Sequence, residues 1–288
     1  MLAGVPRSAR GREFPGGAVM ARANVLGLEG RTALVVGGGS GIGRATALLL
    51  GDAGVDVVVA DMDKERAATV QAEVEAKGVR ASSATGDVTV EAEANEIVAQ
   101  AFEFLGNHLD ILINIVGMAA WVRLFEVDDA TWDLDMGRNL RQHLYVARSA
   151  ARRMVDQGTG GRIALVASVS GIYGAPNHGT YGAAKAGVMA LSRTMAQEWA
   201  PFGIRVNAVA PDCIATPRVK ASMDAQNVDL TEMAKQSRLT LGRFGEPEEI
   251  AGPLVFLVSD LSSFMTGQTL LVDGGRRSAF PSGDSAGM

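Results

Sequence analysis

Cysteine is almost absent from this chain, since its 288 residues include only one, Cys213. A single thiol excludes an intrachain disulfide and any metal site built from several cysteines, and it is consistent with a reducing compartment such as the cytoplasm. Histidine is scarce as well: His108, His143 and His178 lie far apart, without the spacing of a metal-binding helix. The sequence therefore predicts a cytoplasmic protein without a metal site.

Basic charge and long apolar runs are also lacking. The chain has 27 basic and 32 acidic residues, a net charge of −5, so it lacks the basic excess with which proteins bind nucleic-acid phosphates. No run approaches the roughly 18 apolar residues that a membrane-spanning helix needs. We therefore expect neither a nucleic acid nor a membrane as a partner.

Glycine is present in excess: it accounts for 35 of the 288 residues, about 12%, whereas ordinary proteins have roughly 7%. Residues 1–28 are rich in arginine and have no apolar block, which predicts a disordered extension; a transit peptide or a start codon upstream of Met20 are the alternatives. The polar tail 276–288 is expected to be frayed or docked on a neighbouring subunit. Between them, residues 29–275 are expected to form a single domain.

Within that domain, short β-branched runs alternate with longer segments of helical period. Helices are predicted near 42–53, 64–77, 89–105, 129–156, 180–200 and 246–258. The predicted strands are Thr32–Val36, Val55–Ala60, Arg80–Ala84, Ile111–Ile115, Arg162–Ser168, Arg205–Ala210 and Thr269–Val272. Several strands are apolar on both faces, as in a sheet covered by helices above and below. The sequence thus predicts an α/β fold, a Rossmann-type doubly wound parallel sheet of seven strands with helices on both faces.

The first strand leads into a glycine-rich turn, whose residues are Gly37, Gly38, Gly39, Ser40, Gly41, Ile42 and Gly43. Glycines let the backbone approach a ligand at a helix N-terminus, where amide hydrogens and the helix dipole favour a diphosphate. The spacing is G-x-x-x-G-x-G rather than the strict G-x-G-x-x-G, and a tight turn without a ligand is the alternative.

Asp61 ends the second strand, 18 residues after Gly43, close to the ~20 expected for a carboxylate that binds an adenosine ribose. Its alternative role is a helix N-cap. A carboxylate there repels a 2′-phosphate, and neither Ser40 nor Met62 supplies a basic group. The predicted cofactor is therefore NAD, with NADP as the alternative.

A second group of residues can move a proton. Tyr181 and Lys185 stand four residues apart in a helical segment, so a phenol and an ammonium share one helix face. A nearby cation lowers the pKa of a tyrosine from its reference of ~10. Ser168 ends another predicted strand, at the edge where open α/β sheets bind ligands, and its hydroxyl can hold a substrate oxygen. Taken alone the pair is weak evidence, because a lysine at this spacing is usually a solvated one.

Several motifs occur in the order and spacing of one known family. They are GGGSGIG at 37–43, Asp61, GDV at 86–88, LDILINIVG at 109–117, Ser168, YGAAK at 181–185, RVNAVAP at 205–211 and VDGG at 272–275. Over roughly residues 28–275 the chain resembles the short-chain dehydrogenase/reductase family, in its shorter, single-domain branch. The joint occurrence of these motifs is highly specific.

This resemblance implies roles for four catalytic residues. Tyr181 would be the general acid/base, and Ser168 would orient and polarise the substrate oxygen. Lys185 would hold the ribose and lower the pKa of the tyrosine. Asn139 matches the helix asparagine that anchors a water in the proton relay.

The resemblance also implies cofactor contacts beyond the glycine turn. Asp87 and Val88 would bracket the adenine, Asn114 would support the central strand, and Ile214 with Thr216 would hold the nicotinamide carboxamide. Further expected cofactor contacts are Met62, Gly117 and Pro211, together with Tyr181 and Lys185. The family also implies a homotetramer or a homodimer, and a stripe of small residues on the helix of Tyr181 permits close packing against a second helix.

The substrate pocket and the departures from the family pattern leave alternatives open. His178 and Trp121 could line the pocket; a histidine bonded to the backbone and a packing tryptophan are the alternatives. Val36, Ile115 and Val116 replace polar or small family residues, which puts local rigidity in doubt. Asp212 replaces a glycine beside the nicotinamide, where it either turns outward or places a carboxylate near the positive ring. Residues 217–245 are expected to form a mobile lid.

The predicted function is NAD-dependent hydride transfer between the carbinol carbon of a small-molecule secondary alcohol and the nicotinamide. The first alternative is an NADPH-linked ketone or 3-oxoacyl-thioester reductase. An alternative of another class is a catalytically idle NAD-binding regulatory protein, since a fold alone does not establish an activity.

Overall fold

The computed structural model describes residues 24–237 and 239–276. Its strands are Thr32–Val36 (β1), Asp56–Asp61 (β2), Ala81–Thr85 (β3), Ile111–Asn114 (β4), Gly161–Val166 (β5), Ile204–Pro211 (β6) and Thr269–Val272 (β7). All pair in parallel, in the order β3-β2-β1-β4-β5-β6-β7. The predicted doubly wound sheet is confirmed, and each strand bound lies within two residues of its prediction.

Helices cover both faces of the sheet. They are Gly41–Asp52 (α1), Lys64–Glu75 (α2), Glu91–Phe104 (α3), Asp129–Met136 (α4), Gln142–Gln157 (α5), Gly179–Trp199 (α6), Pro217–Ala225 (α7), Leu230–Gln236 (α8) and Pro247–Val258 (α9). Helices α1, α2 and α9 share one apolar core with the sheet, and α3, α5 and α6 share the other.

The strands read as continuous apolar runs because alternate side chains enter opposite cores. In β1, Leu34 and Val36 pack with the α3, α5 and α6 layer, whereas Ala33 and Val35 pack with α1, α2 and α9. The order in which strands are added reverses between β1 and β4, and a crevice forms outside the carboxyl ends of strands at such a switch point. The glycine-rich turn lies at that point.

One predicted helix differs from the structure, and the segment expected to be a lid contains helices of its own. The single helix expected over 129–156 is interrupted by a π-helical turn at Gly137–Arg141, which separates α4 from α5. A π turn inserts one residue into the helical repeat without changing the polarity of the segment, so apolar periodicity does not reveal it. Residues 217–245, expected to form a lid, contain the short helices α7 and α8.

The start of the folded region is earlier than the predicted boundary at residue 28. Leu28 is 0% exposed within the α1, α2 and α9 core, and its amide donates to the Asn24 side chain. The Leu26 carbonyl accepts from the amide of Asp260 at 2.8 Å. Residues 1–23 of the predicted extension, and 277–288 of the predicted tail, lie outside the described residues.

Replacing Leu28 by Ala tests this boundary. Because its whole side chain is buried, we expect the free energy of unfolding to fall by about 2–5 kcal/mol in urea denaturation. Val25, three residues earlier, is 47% exposed. Val25→Ala is therefore the matched control, with an expected change within about 0.5 kcal/mol. Equal stabilities of the two variants would return residue 28 to the extension.

Candidate active site

The glycines of the glycine-rich turn occupy positions where a side chain would meet neighbouring atoms. Gly37 and Gly41 have left-handed φ angles of 81° and 52°. A Cβ on Gly43 would lie 1.9 Å from the Gly37 carbonyl oxygen, and one on Gly39 would lie 2.7 Å from an Asp61 oxygen. Ser40 precedes α1, and its carbonyl accepts from the amide of Gly43. The turn thus brings bare backbone to the N-terminus of α1, which fits the diphosphate of a dinucleotide.

Asp61 stands beside this turn at the end of β2, as predicted. Its Oδ2 accepts from the Gly39 amide at 3.0 Å, and its Oδ1 accepts from the Asp63 amide at 3.0 Å and from Arg66 Nη2 at 3.1 Å. The N-cap of α2 is Asp63, so the alternative role for Asp61 is excluded. The carboxylate is held against the turn, where an adenosine ribose would lie.

The other expected adenosine contacts also follow strands at this edge. Met62 follows β2 and its side chain is exposed. Asp87 and Val88 follow β3; Val88 is buried, and Asp87 Oδ1 accepts from the amide and hydroxyl of Thr89. Ile42, in the first turn of α1, packs partly against the α1, α2 and α9 core. These residues therefore lie at the edge of the sheet where the adenine was expected.

Ile115 and Val116 have apolar side chains, and Gln142 on α5 supplies polar contacts at this end of β4. The Gln142 Oε1 accepts from the Asn114 side chain at 2.8 Å, and its Nε2 donates to the Val116 carbonyl at 3.1 Å. Asn114 and Gln142 are both fully buried. The end of β4 is therefore tied to α5 by these hydrogen bonds.

Asn139 lies in the π turn, fully buried. Its Oδ1 accepts from the Met118 amide at 2.8 Å, and its Nδ2 donates to the Met118 carbonyl and to Asp135. Asp135 also accepts from Arg138 and Thr180, which ties α4 to α6. The π turn thus aims the Asn139 side chain at the loop that follows β4.

Ser168, Tyr181 and Lys185 meet where β5 ends and α6 begins. The Ser168 side chain acts on the Tyr181 phenol in the direction that lowers its pKa. Lys185 Nζ lies 5.8 Å from the centre of the Tyr181 ring and donates to the Val166 carbonyl at 2.8 Å. A Cβ on Gly117 would lie 2.8 Å from Lys185 Nζ and 3.0 Å from the Asn139 side-chain oxygen, so Gly117 leaves the space in which these groups approach each other.

The electrostatics of the pair differ from the prediction. Burial raises the pKa of Tyr181, whereas the sequence predicted that Lys185 would lower it. The Ser168 side chain and the Arg218 charge act in the lowering direction but do not outweigh burial. Burial also lowers the pKa of Lys185 to about 7, so its amine is only partly charged near neutral pH. Desolvation is the largest cause at both groups, and residue spacing carries no information about it.

His178 and Trp121 form an aromatic wall next to Tyr181. The Trp121 and His178 rings are 4.0 Å apart between centroids, and the His178 and Tyr181 rings are 5.3 Å apart. His178 Nδ1 lies 3.2 Å from the Ser170 hydroxyl, a side-chain contact rather than the backbone bond considered above. Its Nε2 is buried and has no hydrogen-bond partner among the described residues. Trp121 is 70% exposed, so it does not act as a core packing residue.

The loop after β6 reaches the glycine turn. Pro211 ends β6 and is buried, and Ile214 pairs with Gly245. Thr216 caps α7 and approaches the turn, since a Cβ on Gly41 would lie 3.3 Å from its methyl carbon. The loop can therefore contact a nicotinamide while the turn holds the diphosphate.

Asp212, the departure from the family glycine, does not turn outward. Its carboxylate is nearly buried, 2.7 Å from Arg276 Nε in an ion pair, and accepts from the Tyr173 hydroxyl at 3.0 Å. It therefore joins the loop after β5, the loop after β6 and the segment after β7. Burial and the Asp212 charge also raise the pKa of the neighbouring Cys213 to about 12, which leaves an unreactive thiol.

Sequence reasoning missed Gln142, Asp135, Arg66, Arg218, Tyr173 and Arg276. One signal was available, because Gly137 lies inside the predicted helix and marked a possible interruption. The others depend on contacts between segments distant in sequence.

Among the described residues no cluster of histidine, cysteine or acidic side chains could hold a metal ion. No helix in that part of the chain is long and apolar enough to cross a membrane.

The chain is similar to known proteins over most of its length. Residues 37–277 match the family model described as enoyl-(acyl carrier protein) reductase. The 3-oxoacyl-[acyl-carrier-protein] reductase FabG of Thermotoga maritima is 38% identical over 251 residues, 86% of this chain and 98% of that protein. L-rhamnose 1-dehydrogenase (NAD(P)(+)) of Azotobacter vinelandii is 36% identical over 253 residues, 85% of this chain and 96% of that protein.

Solved structures agree with the sequence comparison. A putative short-chain alcohol dehydrogenase from Sinorhizobium meliloti 1021 superposes with a TM-score of 0.81 at 34% identity, covering 88% of this chain and 98% of that one. Levodione reductase superposes with a TM-score of 0.80 at 32% identity, covering 87% and 98%. The chain belongs to the short-chain dehydrogenase/reductase family and is an oxidoreductase that uses a nicotinamide cofactor on alcohols or ketones.

Proposed function

We propose that the chain oxidises a small-molecule secondary alcohol with NAD and that Tyr181 is the general acid/base. The observation that carries this proposal is that Tyr181 lies beside Ser168 and Lys185, while the Lys185 amine and the Asn139 side chain both lie against Gly117. A regulatory protein without activity would have no need to keep a hydroxyl, a phenol and a buried amine together.

The cofactor fits at the carboxyl edge of β1, β2 and β6. The glycine turn would hold the diphosphate, Asp61 a ribose hydroxyl, and Ile214 with Thr216 the carboxamide. Bound NAD supplies the hydride acceptor. Asp61 supports NAD in preference to NADP because it places a carboxylate beside the ribose.

Residues of the chain bind the substrate and transfer its proton. Ser168 holds the substrate oxygen, and phenolate Tyr181 takes the hydroxyl proton as the carbinol carbon is oxidised. In the reverse direction, neutral Tyr181 protonates the forming alkoxide. Lys185 holds the nicotinamide ribose, and Asn139 anchors a water in the proton relay. Trp121 and His178 border the substrate, with an aromatic surface that accepts the apolar part of an alcohol.

A reductase of ketones or 3-oxoacyl thioesters is the second candidate. It is favoured by the similarity to a 3-oxoacyl-[acyl-carrier-protein] reductase, which is 38% identical over 86% of this chain. Comparing rates of alcohol oxidation with NAD and ketone reduction with NADPH distinguishes the two.

We further propose a homotetramer or homodimer in the cytoplasm. The single cysteine is consistent with that compartment. Exposed Ala183 and Ala190 on α6 allow close approach of a second helix. Gly182 and Gly187 give no such support, because they pack against Ser170 and Leu140 of the same chain.

Replacing Tyr181 by Phe removes the acid/base group. We expect turnover to fall by at least about 100-fold while the dissociation constant of NAD changes little, because the phenol acts on the proton. Tyr145→Phe, on α5, is the matched control and keeps its turnover. Near-native turnover in the Tyr181 variant would remove this residue from the role.

The pH dependence of alcohol oxidation follows from the raised pKa of Tyr181. Oxidation needs the phenolate, so kcat/KM should rise steadily with pH between about 7 and 9. Arg218→Gln removes a charge that lowers the pKa of Tyr181, and we expect the profile to move to higher pH. Lys220, on the same helix, is paired with Glu246, so Lys220→Gln is the control. A profile that moves to lower pH in the Arg218 variant would contradict this account.

Asp212→Gly tests whether the carboxylate senses the nicotinamide charge. Because Arg276 neutralises Asp212, we expect the affinities for NAD and NADH to change by the same factor, measured by calorimetric titration. Arg276→Gln leaves the carboxylate unpaired and should favour the oxidised form. An unequal change in the Asp212 variant would show that the ion pair does not shield the ring.

A further inference from the structure

Asp135, near the end of α4, is a carboxylate that is 0% exposed. Its Oδ1 accepts from the Ala120 amide and from Asn139 Nδ2, each at 3.2 Å, and its Oδ2 accepts from the Thr180 hydroxyl. Arg138 Nη2 lies 2.8 Å from Oδ1 in an ion pair. One side chain therefore receives hydrogen bonds from the loop after β4, from the π turn and from the first turn of α6.

Each of these three segments carries a group of the reacting centre. The loop after β4 carries Gly117, against which the Lys185 amine lies. The π turn carries Asn139, whose amide Asp135 holds directly. Thr180 immediately precedes Tyr181 in the first turn of α6, so a displacement of Thr180 moves the phenol with it. Asp135 thus fixes the relative positions of groups that three different segments supply.

Net stability is a weak reason for a carboxylate at this place. Removing a carboxylate and a guanidinium from water is costly, and a buried ion pair is often no more stabilising than apolar residues of similar size. The Arg138 side chain is itself only 15% exposed, so the pair bears much of this cost. What a hydrogen-bonded network of buried polar groups does provide is one fixed arrangement of its members.

We propose that Asp135 is a positioning residue of the active site, which holds Asn139 and the turn that carries Tyr181 and places a negative charge near the phenol. The proposal rests on the proposed role of Tyr181 as the general acid/base. It makes turnover depend on a side chain of α4, because a displacement of about 1 Å at a reacting group can lower a rate roughly 100-fold.

The charged and titratable groups around the phenol come from several elements. Lys185 Nζ and the His178 ring lie 5.8 Å and 5.3 Å from the centre of the Tyr181 ring. Burial is the largest cause that raises the pKa of Tyr181; the Asp135 charge adds to the rise, and Arg218 on α7 opposes it. Removing the Asp135 charge should therefore let the phenolate form at lower pH, an effect that a purely structural residue would not have.

Asp135→Asn tests the charge, because it keeps the size and most hydrogen-bonding groups of the side chain. The measurement is the tyrosinate absorbance of the full chain after stopped-flow pH jumps, which read ionisation before alkaline unfolding. Subtracting the same titration of each protein with Tyr181→Phe added isolates Tyr181. We expect the midpoint to move to lower pH, opposite to the shift expected for Arg218→Gln. An unchanged or higher midpoint would overturn the proposal.

Thr180→Val tests the positioning, because it removes one hydroxyl bond to Asp135 and keeps both the charge and nearly the same shape. For oxidation of secondary alcohols, with cyclohexanol as the first probe of a panel, we expect kcat to fall roughly tenfold or more. The dissociation constant of NAD should change less than threefold, since the glycine turn is untouched. Native-like kcat in this variant would show that Asp135 does not position the phenol, and the variant decides the matter if Asp135→Asn does not fold.

Asp133→Asn is the matched control, because Asp133 lies on the same helix with its side chain exposed. It removes the same charge from α4 and should leave the tyrosinate midpoint and kcat unchanged. A wild type that oxidises no alcohol of the panel would overturn the proposed function. The absorbance titration needs no substrate, so it would still decide whether the Asp135 charge acts on Tyr181.

Discussion

Burial of the Lys185 amine is the constraint on which the active site depends. This side chain is 1% exposed, and its hydrogen bond goes to the main-chain carbonyl of Val166 rather than to a carboxylate. A buried amine of this kind holds its proton less tightly than a solvated one, which is why its pKa falls to about 7. Gly117 must lack a side chain to leave it space, and Tyr181 is positioned from the same helix. The packing that buries Lys185 therefore also sets the proton affinity of its amine.

The sheet could be predicted from the sequence because its information is local. Strands with both faces buried form uninterrupted apolar runs, and each glycine-rich or polar turn marks where a run stops. The positions of Ser168, Tyr181 and Lys185 followed from such boundaries and from helical spacing, and the resemblance added Asn139. Their geometry then follows from parallel strands that all end at one edge.

What the sequence did not reveal depends on distant contacts and on solvation. Gln142 replaces polar ties lost at the end of β4, yet nothing in the helical period of α5 shows that its amide faces a strand. The pairing of Asp212 with Arg276 joins residues from two loops, so a rule for a single position gave only an outward or an inward carboxylate. The direction of the Tyr181 pKa was wrong because residue spacing carries no information on burial.

The π turn that holds Asn139 has a thermodynamic consequence for the evolution of this chain. Its backbone gives up regular helical bonding at Gly137–Arg141 so that one amide points towards the loop after β4. Changes that made this stretch a better α-helix would strengthen the scaffold and at the same time rotate the amide away. Substitutions at these five positions that raise the melting temperature are therefore expected to lower turnover.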